Sequence, residues 1–420
     1  MTARSRIRWF PQRSPGCLPA TTRCRFDPLD FSPPIRTRLL ILQPTPFCNI
    51  DCDYCYLPAR NSAARMGLAT VRRAAERLRD DGLAADELTI VWHAGEPLTM
   101  PKDFYDEAAA VLHDVLAPLC VLSHSIQTNA TLVDDAWCEL FMRHNMRIGV
   151  SVDGPAALHD LHRRTRDHRG THAAVMRGMA CLRAHAIPFH AIAVVGPATF
   201  ANADAFLDFF IEQGVSELCC NYDEAEGTHH NSSLDGHEEA HAAFVARLLE
   251  RAYGRAGGQR VRELEMAFQL IAQPLPTYRW HRQDWPENAQ TQPFALISVA
   301  HNGDFSTFSP ELLGQPSAEF GNFVLGNVAT DGFFDSARGL RFQRLWDAIV
   351  RGTRACEASC AHYGFCGGGA PANKLYENGD FASAETLYCR TMLKRPFDAV
   401  LARLEYEAVS GRARLTAHGG

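Results

Sequence analysis

Apolar runs and amphipathic segments alternate along the middle of the chain. Six short apolar stretches have the length and composition of buried strands, at residues 39–43, 88–92, 124–128, 147–152, 189–195 and 217–222. Helical spacing of apolar residues fills the intervals, for example at Val71, Ala75 and Leu78. Six strand–helix units predict an α/β fold, a closed or partial (β/α)6 barrel of parallel strands. In such barrels the chemistry lies on loops at the carboxyl ends of the strands.

The composition predicts a mildly acidic globular protein, with 46% hydrophobic residues and a formal charge of −6 over 420 residues. This charge favours no nucleic-acid partner, which would need a basic face. No apolar run approaches the roughly 18 residues that cross a bilayer. The 14 cysteines gather mainly at two places, which favours clusters in a reducing compartment, the cytoplasm, over a disulfide framework.

The first cysteine group follows the first predicted strand, in the run CNIDCDYCY. Cys48, Cys52 and Cys55 have the spacing C-x3-C-x2-C. A [4Fe–4S] cluster takes one ligand on every iron, so three thiolates leave one iron open to a ligand from outside the protein. A structural zinc site is the alternative, and it would need a fourth ligand from elsewhere in the chain.

The second cysteine group lies near the C-terminus with the spacing C-x3-C-x5-C-x22-C, and consists of Cys356, Cys360, Cys366 and Cys389. Four thiolates hold a whole [4Fe–4S] cluster, and they also suit a closed zinc site. Three glycines after Cys366 let the backbone wrap closely around it. Outside these groups we expect five cysteines to pack as small hydrophobic residues: Cys120, Cys138, Cys181, Cys219 and Cys220.

The first cysteine group and the next two strand ends resemble those of radical S-adenosylmethionine (SAM) enzymes, whose SAM chelates the open iron. An aromatic residue before the third cysteine is usual in that family. HAGEP after the second strand is similar to the GGEP motif at the SAM amino group, and QTNA after the third is similar to the QTNG run near the ribose. The resemblance implies a SAM-binding [4Fe–4S] cluster and cofactor contacts at Tyr54, Ala94, Gly95, Glu96, Gln127 and Asn129.

The fourth strand ends in SVDGP, followed by HDLHR. These runs resemble the SxDGP and HDxxR motifs, whose serine and arginine bind the ribose and carboxylate of SAM in relatives. The resemblance gives those roles to Ser151 and Arg163, and a guanidinium suits a carboxylate because it binds as a bidentate fork. Val194 and Val195 are expected to wall the adenine, although core packing explains them equally well.

The second cysteine group resembles the SPASM module of radical SAM peptide-modifying enzymes, which usually holds two auxiliary clusters on seven cysteines. Thr307 and Ala370 stand where two of those cysteines are expected, so we predict one auxiliary [4Fe–4S] cluster. TFSPELLG and residues 366–390 further resemble the cyclophane-forming maturases of glycine-rich-repeat peptides. This resemblance implies a ribosomal precursor peptide as substrate and an electron donor such as flavodoxin or ferredoxin.

The reaction that this resemblance implies removes a Cβ hydrogen atom with a 5′-deoxyadenosyl radical and joins that carbon to an aromatic ring. Restoring the ring needs an electron acceptor and a base, for which Glu224, Asp223 and Asp304 are candidates. Three alternatives remain open: a thioether-forming maturase, a formylglycine-generating enzyme of the sulfatase-maturating kind, and a non-catalytic, metal-stabilised peptide-binding protein.

These motifs divide the chain into five predicted segments. They are an irregular N-terminal arm (1–37), the radical SAM core (38–255), a helical bridge (256–294), the SPASM-like module (295–395) and a C-terminal helix and tail (396–420). The module is expected to begin with a hairpin whose turn lies at residues 301–304.

Overall fold

A computed structural model describes residues 25–253 and 259–410 of the chain. Its strands are β1 (Phe31–Ser32), β2 (Thr37–Gln43), β3 (Ala84–Trp92), β4 (Val121–Thr128), β5 (Arg147–Ser151), β6 (Phe189–Val195), β7 (Leu218–Tyr222), β8 (Thr277–Trp280), β9 (Gln283–Pro286), β10 (Leu296–Ala300), β11 (Asp304–Thr307) and β12 (Gly326–Asn327).

Helices cover much of the remaining described chain. They are α1 (Leu68–Asp80), α2 (Lys102–Leu116), α3 (Asp135–Arg143), α4 (Ala156–His162), α5 (His172–Ala184), α6 (Pro197–Phe200), α7 (Ala203–Glu212), α8 (Glu238–Tyr253), α9 (Arg262–Ala272), α10 (Phe333–Ala337), α11 (Leu340–Ser359), α12 (Tyr363–Cys366), α13 (Pro371–Asn378) and α14 (Arg395–Ser410). Short 3-10 turns lie at Pro28–Asp30, Pro97–Thr99, Pro310–Leu312 and Gly321–Phe323, and a π-helical turn at Cys389–Lys394.

One large sheet organises the fold. Within the described residues it has nine strands, in the order β12-β11-β10-β2-β3-β4-β5-β6-β7. Strands β2 to β7 lie side by side in chain order, and each neighbouring pair is parallel. Strand β10 pairs in parallel with the other side of β2. The predicted α/β fold with six parallel strands is confirmed, and the carboxyl ends of these strands meet at one edge of the sheet.

The sequence pattern explains why these elements form. In the middle of β2, Leu40, Ile41 and Leu42 are all buried, as expected for a parallel strand covered on both faces. In α1 the buried residues include Val71 and Leu78, which lie on one helical stripe. The helices therefore pack their apolar stripes on the sheet and leave the strand ends open for the site.

A second, three-stranded antiparallel sheet has the order β1-β8-β9. Residues 25–36 of the predicted N-terminal arm belong to this region, where Phe26, Phe31 and Ile35 are buried. Phe31 stacks on Tyr278 and Trp280 of β8. Residues 1–24 of the predicted arm lie outside the described residues. The segment predicted as a helical bridge contains α9 and also the β8–β9 hairpin.

The SPASM-like segment continues the main sheet. Strands β10 and β11 form the expected hairpin, and Gly303 in its turn has φ 92°, which favours glycine. Helix α11 then carries Cys356 at its C-terminal end, and α12 ends at Cys366. Among the described residues, none of the helices combines the length and the apolarity needed to cross a bilayer.

Phe26 offers a test of the packing that precedes β2. Its ring is 4% exposed and contacts the rings of Phe294, Phe342 and Trp346. Removing a fully packed aromatic ring leaves a cavity, so Phe26→Ala should lower the free energy of unfolding by about 3–5 kcal/mol in urea denaturation. Leu29→Ala is the matched control, because Leu29 is 90% exposed. Equal stability of the two variants would contradict the observed packing.

Candidate active site

A cavity of about 560 Å³ lies at the carboxyl edge of the parallel strands. Its size falls in the range of small-molecule sites in proteins. Residues from the loops after β2, β3, β4, β5 and β7 line it, and so do residues of α9 and of the C-terminal part of the chain. Twelve of the predicted site residues lie in this wall: Cys48, Cys52, Tyr54, Cys55, Ala94, Gly95, Glu96, Gln127, Asn129, Ser151, Arg163 and Cys366. Two of the candidate bases, Asp223 and Glu224, are there as well.

The three-cysteine loop is held in place by two arginines that the sequence did not single out. Arg60 donates from Nη1 to the carbonyl oxygen of Cys52 at 2.9 Å. Arg166 donates from Nη2 to the carbonyl oxygen of Cys48 at 2.7 Å. Burial raises the pKa of both Cys48 and Cys52 to about 12. Metal ligation needs thiolates, so a bound cation such as cluster iron would have to offset this effect of burial.

The HAGEP turn approaches the cysteine loop too closely for a side chain at Gly95. Gly95 has φ 59°, and a Cβ atom on it would lie 2.4 Å from the carbonyl oxygen of Thr45. Ala94 also has a positive φ, 75°, although it carries a Cβ atom. A left-handed alanine costs roughly 1–2 kcal/mol, and such strain gathers at functional sites.

Glu96 joins the loops after β3 and β4. Its carboxylate accepts hydrogen bonds from the backbone N–H of Leu98 at 2.9 Å, from Oγ1 of Thr128 at 2.7 Å and from the backbone N–H of Asn129 at 2.7 Å. The residue is 1% exposed, and burial raises its pKa to about 7. Its predicted contact with the amino group of SAM remains a prediction, and these bonds show a structural role beside it.

The polar residues after β4 and β5 are also linked. Gln127 donates from Nε2 to Oγ of Ser151 at 2.8 Å. Asn129 donates to Oδ1 of Asn49 at 2.8 Å, and its Nδ2 lies 3.9 Å from the Cys48 sulfur. The next residue, Ala130, has φ 57°. The side chains predicted near the ribose are therefore part of a network that reaches the cysteine loop.

The Arg163 guanidinium makes a bidentate hydrogen bond to a carboxylate of the protein itself. Its Nε and Nη2 donate to the two carboxylate oxygens of Asp153 at 2.9 and 3.0 Å, and both side chains are buried. Tyr54 donates its hydroxyl to the same carboxylate at 2.6 Å. The arginine charge holds the pKa of Asp153 below its ordinary value, against the effect of burial. The bidentate edge predicted to bind the SAM carboxylate is thus engaged by Asp153.

Two predicted cofactor-binding or catalytic residues, Val195 and Asp304, are not among the residues that line the cavity. Val195 is fully buried in the core, whereas Val194 lines the cavity, because successive side chains of β6 point to opposite faces. Asp304 lies in the β10–β11 turn, where Asn302 and Asn327 donate to its carboxylate at 2.8 and 2.9 Å. Local turn chemistry explains Asp304 without a role as the base.

The cavity contains an acidic group assembled from distant parts of the chain. Glu224 and Glu226 follow β7, and Glu311 comes from the TFSPELLG run. Burial raises the pKa of Glu224 to about 8 and that of Glu311 to about 7. Burial and the neighbouring carboxyl groups raise the pKa of Glu226 as well, and Glu224 and Glu226 share a hydrogen bond. Asn373 donates to the other side of Glu224 at 2.7 Å.

Asp223 differs from these glutamates because it has a basic partner. His229 Nε2 lies 2.9 Å from its carboxylate, and the backbone N–H of Ser233 donates to the same group at 2.8 Å. Asp223 is therefore fixed on the loop after β7. Asp223 and Glu224 both line the cavity and remain candidates for the base.

Three buried polar atoms of the cavity wall have no hydrogen-bond partner within the part of the chain that the structure describes. They are the hydroxyl of Tyr56, Nδ1 of His93 and Oγ of Ser309. Burial lowers the pKa of His93 to about 4, so its ring is neutral at pH 7. Because buried polar atoms are nearly always paired, these three atoms are available to water or to polar groups of a ligand in the cavity.

The second cysteine group converges on a small cavity of about 40 Å³, which Cys356, Cys360, Cys366 and Cys389 all line. Lys374 is 2% exposed, and its ammonium donates to the sulfur of Cys356 at 3.2 Å and to the carbonyl oxygen of Gly352 at 2.8 Å. A buried cation needs an anionic neighbour, and thiolates supply it. This donor set fits a thiolate-bound cluster. Cys366 lines both cavities.

Comparison with known proteins gives the family. Residues 42–210 match the radical SAM superfamily. An uncharacterized protein of Synechocystis sp. is 36% identical over 385 residues, which are 90% of this chain and 94% of that protein. The chain belongs to the radical SAM superfamily, and it is an enzyme. Its cofactors are SAM and a [4Fe–4S] cluster, as predicted.

Other relatives match part of the chain or its fold. The serine-type anaerobic sulfatase-maturating enzyme of Klebsiella aerogenes is 34% identical over 203 residues, 47% of this chain and half of that enzyme's length. The solved structure of anSMEcpe with bound AdoMet and Cp18Cys peptide has a TM-score of 0.70, with 18% identity over 89% of this chain and 99% of that one. Streptococcus suis SuiB bound to precursor peptide SuiA has a TM-score of 0.57, with 12% identity over 85% of this chain and 76% of SuiB. Both structures share the fold.

The raised pKa of Glu224 predicts a dependence of stability on pH. The folded protein holds this proton up to about pH 8, whereas an ordinary glutamate loses it near 4.5, so folding stability should fall as pH rises between these values. Between pH 5 and pH 9 the unaltered protein should lose about 2–4 kcal/mol of folding free energy through this proton. Glu224→Gln should not show this loss, and its side chain keeps an acceptor for Asn373. Thermal unfolding at both pH values measures the effect. Glu405→Gln, at an exposed position, is the control and should lose stability as the unaltered protein does.

Proposed function

We propose that this enzyme modifies a ribosomal precursor peptide by joining the Cβ atom of one residue to the aromatic ring of another, which forms a cyclophane. The observation that carries the proposal is the continuity of the 560 Å³ cavity. Its wall runs from the three-cysteine loop, past the acidic group at Glu224, to Cys366 of the second cysteine group. A radical source, a base and an electron acceptor would therefore face one substrate.

The two cysteine groups would hold the iron–sulfur clusters. Cys48, Cys52 and Cys55 would bind the cluster that chelates SAM, and Cys356, Cys360, Cys366 and Cys389 would bind one auxiliary [4Fe–4S] cluster. When bound, the first cluster and SAM supply a 5′-deoxyadenosyl radical. The protein's own task is to position one Cβ atom and to exclude water.

The residues around SAM would orient it from several loops. We assign Tyr54, Ala94, Gly95, Glu96, Gln127, Asn129 and Ser151 to this role, with Val194 in place of Val195. Arg163 would act mainly by fixing Asp153 and Tyr54, because its fork is already engaged. The partnerless Nδ1 of His93 is a further polar contact for the ligand.

The proposed reaction balances as an oxidation. The Cβ–H bond and one ring C–H bond break, and one carbon–carbon bond forms. The Cβ hydrogen atom leaves on 5′-deoxyadenosine, one electron passes to the acceptor site at the second cysteine group, and one proton passes to a carboxylate. Glu224 is our candidate for this base, because it lines the cavity and Asn373 holds its side chain at 2.7 Å.

A formylglycine-generating activity is the second candidate, and its support is the similarity to the Klebsiella enzyme over half of that protein. Enzymes of that group keep the cysteines that Thr307 and Ala370 replace here. The Thr307 hydroxyl instead bonds the backbone, donating to the Leu296 carbonyl at 2.7 Å and accepting from the Phe294 N–H at 2.8 Å. This difference favours the cross-linking reaction. A thioether product differs only in the bond formed.

The partners of the proposed reaction are a precursor peptide and a one-electron donor such as flavodoxin or ferredoxin. A reducing compartment, the cytoplasm, suits the free thiols that cluster assembly needs.

The deciding experiment reconstitutes the full chain anaerobically, measures iron, and assays 5′-deoxyadenosine after dithionite reduction. We expect about eight irons per chain and SAM cleavage. The enzyme is then incubated with an aromatic-containing precursor peptide deuterated at Cβ. Deuterium in 5′-deoxyadenosine, and a ring-to-Cβ linkage in tandem mass spectra, would support the proposal. A thioether or an aldehyde in the product would overturn it.

Cys52→Ala tests the first cysteine group. Loss of one of three cluster ligands should abolish SAM cleavage, so 5′-deoxyadenosine should fall to background in the dithionite assay. Cys120→Ala is the matched control, because Cys120 lies outside both cavities, beside the C-terminal end of α2. Normal cleavage by Cys52→Ala would remove the loop from the mechanism.

Cys360→Ala separates the two cysteine groups. Iron content should fall by about four per chain, and SAM cleavage should persist at a reduced level while cross-linked peptide is lost. Full product formation by this variant, measured by mass spectrometry, would mean that the second group does not accept the electron.

A further inference from the structure

Helices α3 and α5 pack together on the outside of the sheet, away from the cavity, and carry two pairs of metal-ligating side chains. Asp135 and Cys138 are three residues apart on α3, and Cys181 and His185 are four residues apart at the end of α5. Residues at these spacings share one helix face. The two pairs face each other across the contact between the helices.

Cys138, Cys181 and His185 lie close enough together to share a metal ion, and Asp135 lies beside two of them. Ligand atoms of Cys138, Cys181 and His185 all lie within 4.8 Å of one another. The two sulfur atoms are 3.6 Å apart, and the Cys181 sulfur lies 3.5 Å from Oδ1 of Asp135. With Zn–S bonds of about 2.3 Å and Zn–O bonds of about 2.1 Å, tetrahedral geometry requires about 3.8 Å between two sulfurs and about 3.6 Å between sulfur and oxygen.

The histidine is also oriented as a metal ligand. Nδ1 of His185 lies 3.1 Å from the carbonyl oxygen of Cys181 and donates to it, so Nε2 is the ring nitrogen that a metal ion would use. Nε2 lies 3.7 Å from Oδ1 of Asp135. The neighbouring Asp134 caps α3 by accepting from the Trp137 N–H, which leaves Asp135 as the carboxylate at the site.

We propose that Cys138, Cys181 and His185 bind a zinc ion on the outer face of the barrel, with the Asp135 carboxylate as the fourth ligand. Cys138 is fully buried, whereas the Asp135 side chain is 84% exposed, so the ion has a path from solvent and the site closes with a surface carboxylate. Ligands from two helices make this a structural site that ties α3 to α5. It is separate from both iron–sulfur sites.

Two alternatives to a zinc site are hydrophobic packing of the two thiols and a disulfide bond between them. Packing as small hydrophobic residues, expected from the sequence, explains the buried Cys138 but not the convergence of His185 and Asp135 on it. A disulfide would require the sulfur atoms to approach from 3.6 Å to about 2.05 Å, and it would leave His185 without a role.

The test uses the full chain after anaerobic cluster reconstitution, so that the seven cysteines assigned to the clusters are occupied. The protein is incubated with zinc, passed over a chelating resin and analysed for metal. We expect about one zinc per chain in the unaltered protein and its loss in both Cys181→Ser and His185→Gln. Cys120→Ser should keep the zinc. Thermal unfolding should show that zinc raises the Tm of the unaltered protein and not that of the two ligand variants.

Cobalt provides a second readout that does not depend on activity. Co²⁺ should give thiolate charge-transfer absorption, which weakens in Cys181→Ser, and Asp135→Asn should lower the affinity for cobalt by about tenfold. Zinc retained equally by the two ligand variants, or no zinc in the unaltered protein, would overturn the proposal. Recovery of a Cys138–Cys181 disulfide by alkylation and mass spectrometry, without bound metal, would overturn it in favour of a redox pair.

Discussion

Parallel hydrogen bonding of β2 to β3 on one side and to β10 on the other holds the site together. Ile41 pairs with Val91 of β3 and with Ser298 of β10, so the register is fixed across all three strands. The Cys48 loop leaves the end of β2, the HAGEP turn leaves the end of β3, and β10 opens the segment that leads to the second cysteine group. A shift in either pairing would move both cysteine groups relative to each other.

The chemistry of this edge rests on how charge is placed in a poorly solvated region. Lys374 stands beside the Cys356 sulfur, and Arg163 is matched by Asp153. The half-buried Glu224, Glu226 and Glu311 instead have raised pKa values, because burial disfavours their charged forms and, at Glu224 and Glu226, neighbouring carboxyl groups add to this effect. A cation therefore lies beside a cysteine sulfur of the second group, whereas the pKa values of Glu224 and Glu311 are raised to about 8 and about 7, which suits proton transfer.

The sequence predicted what local patterns encode. Strand positions followed from apolar runs, and the cysteine loop and HAGEP turn followed from short motifs at the strand ends. Val194 and Val195 were both expected at the adenine, and only the folded strand shows that Val194 lines the cavity while Val195 is buried in the core, because alternation along a strand does not say which face meets the cavity. Glu311 was missed as a partner of Glu224, because only the folded chain brings the β7 loop beside the TFSPELLG run. The contact between Cys138 of α3 and Cys181 of α5 could not be predicted from the sequence either, because it depends on how the two helices pack.

Ala94 and Ala130 sit where relatives of this family carry glycine, and both have positive φ. A left-handed alanine is strained, so each turn keeps this conformation only because its surroundings hold it there. Among these surroundings is the Glu96 carboxylate, which follows Ala94 by two residues and accepts from the N–H of Asn129, next to Ala130. The hydrogen bonds that join the two loops therefore also hold two alanines in a backbone conformation that an isolated turn would leave.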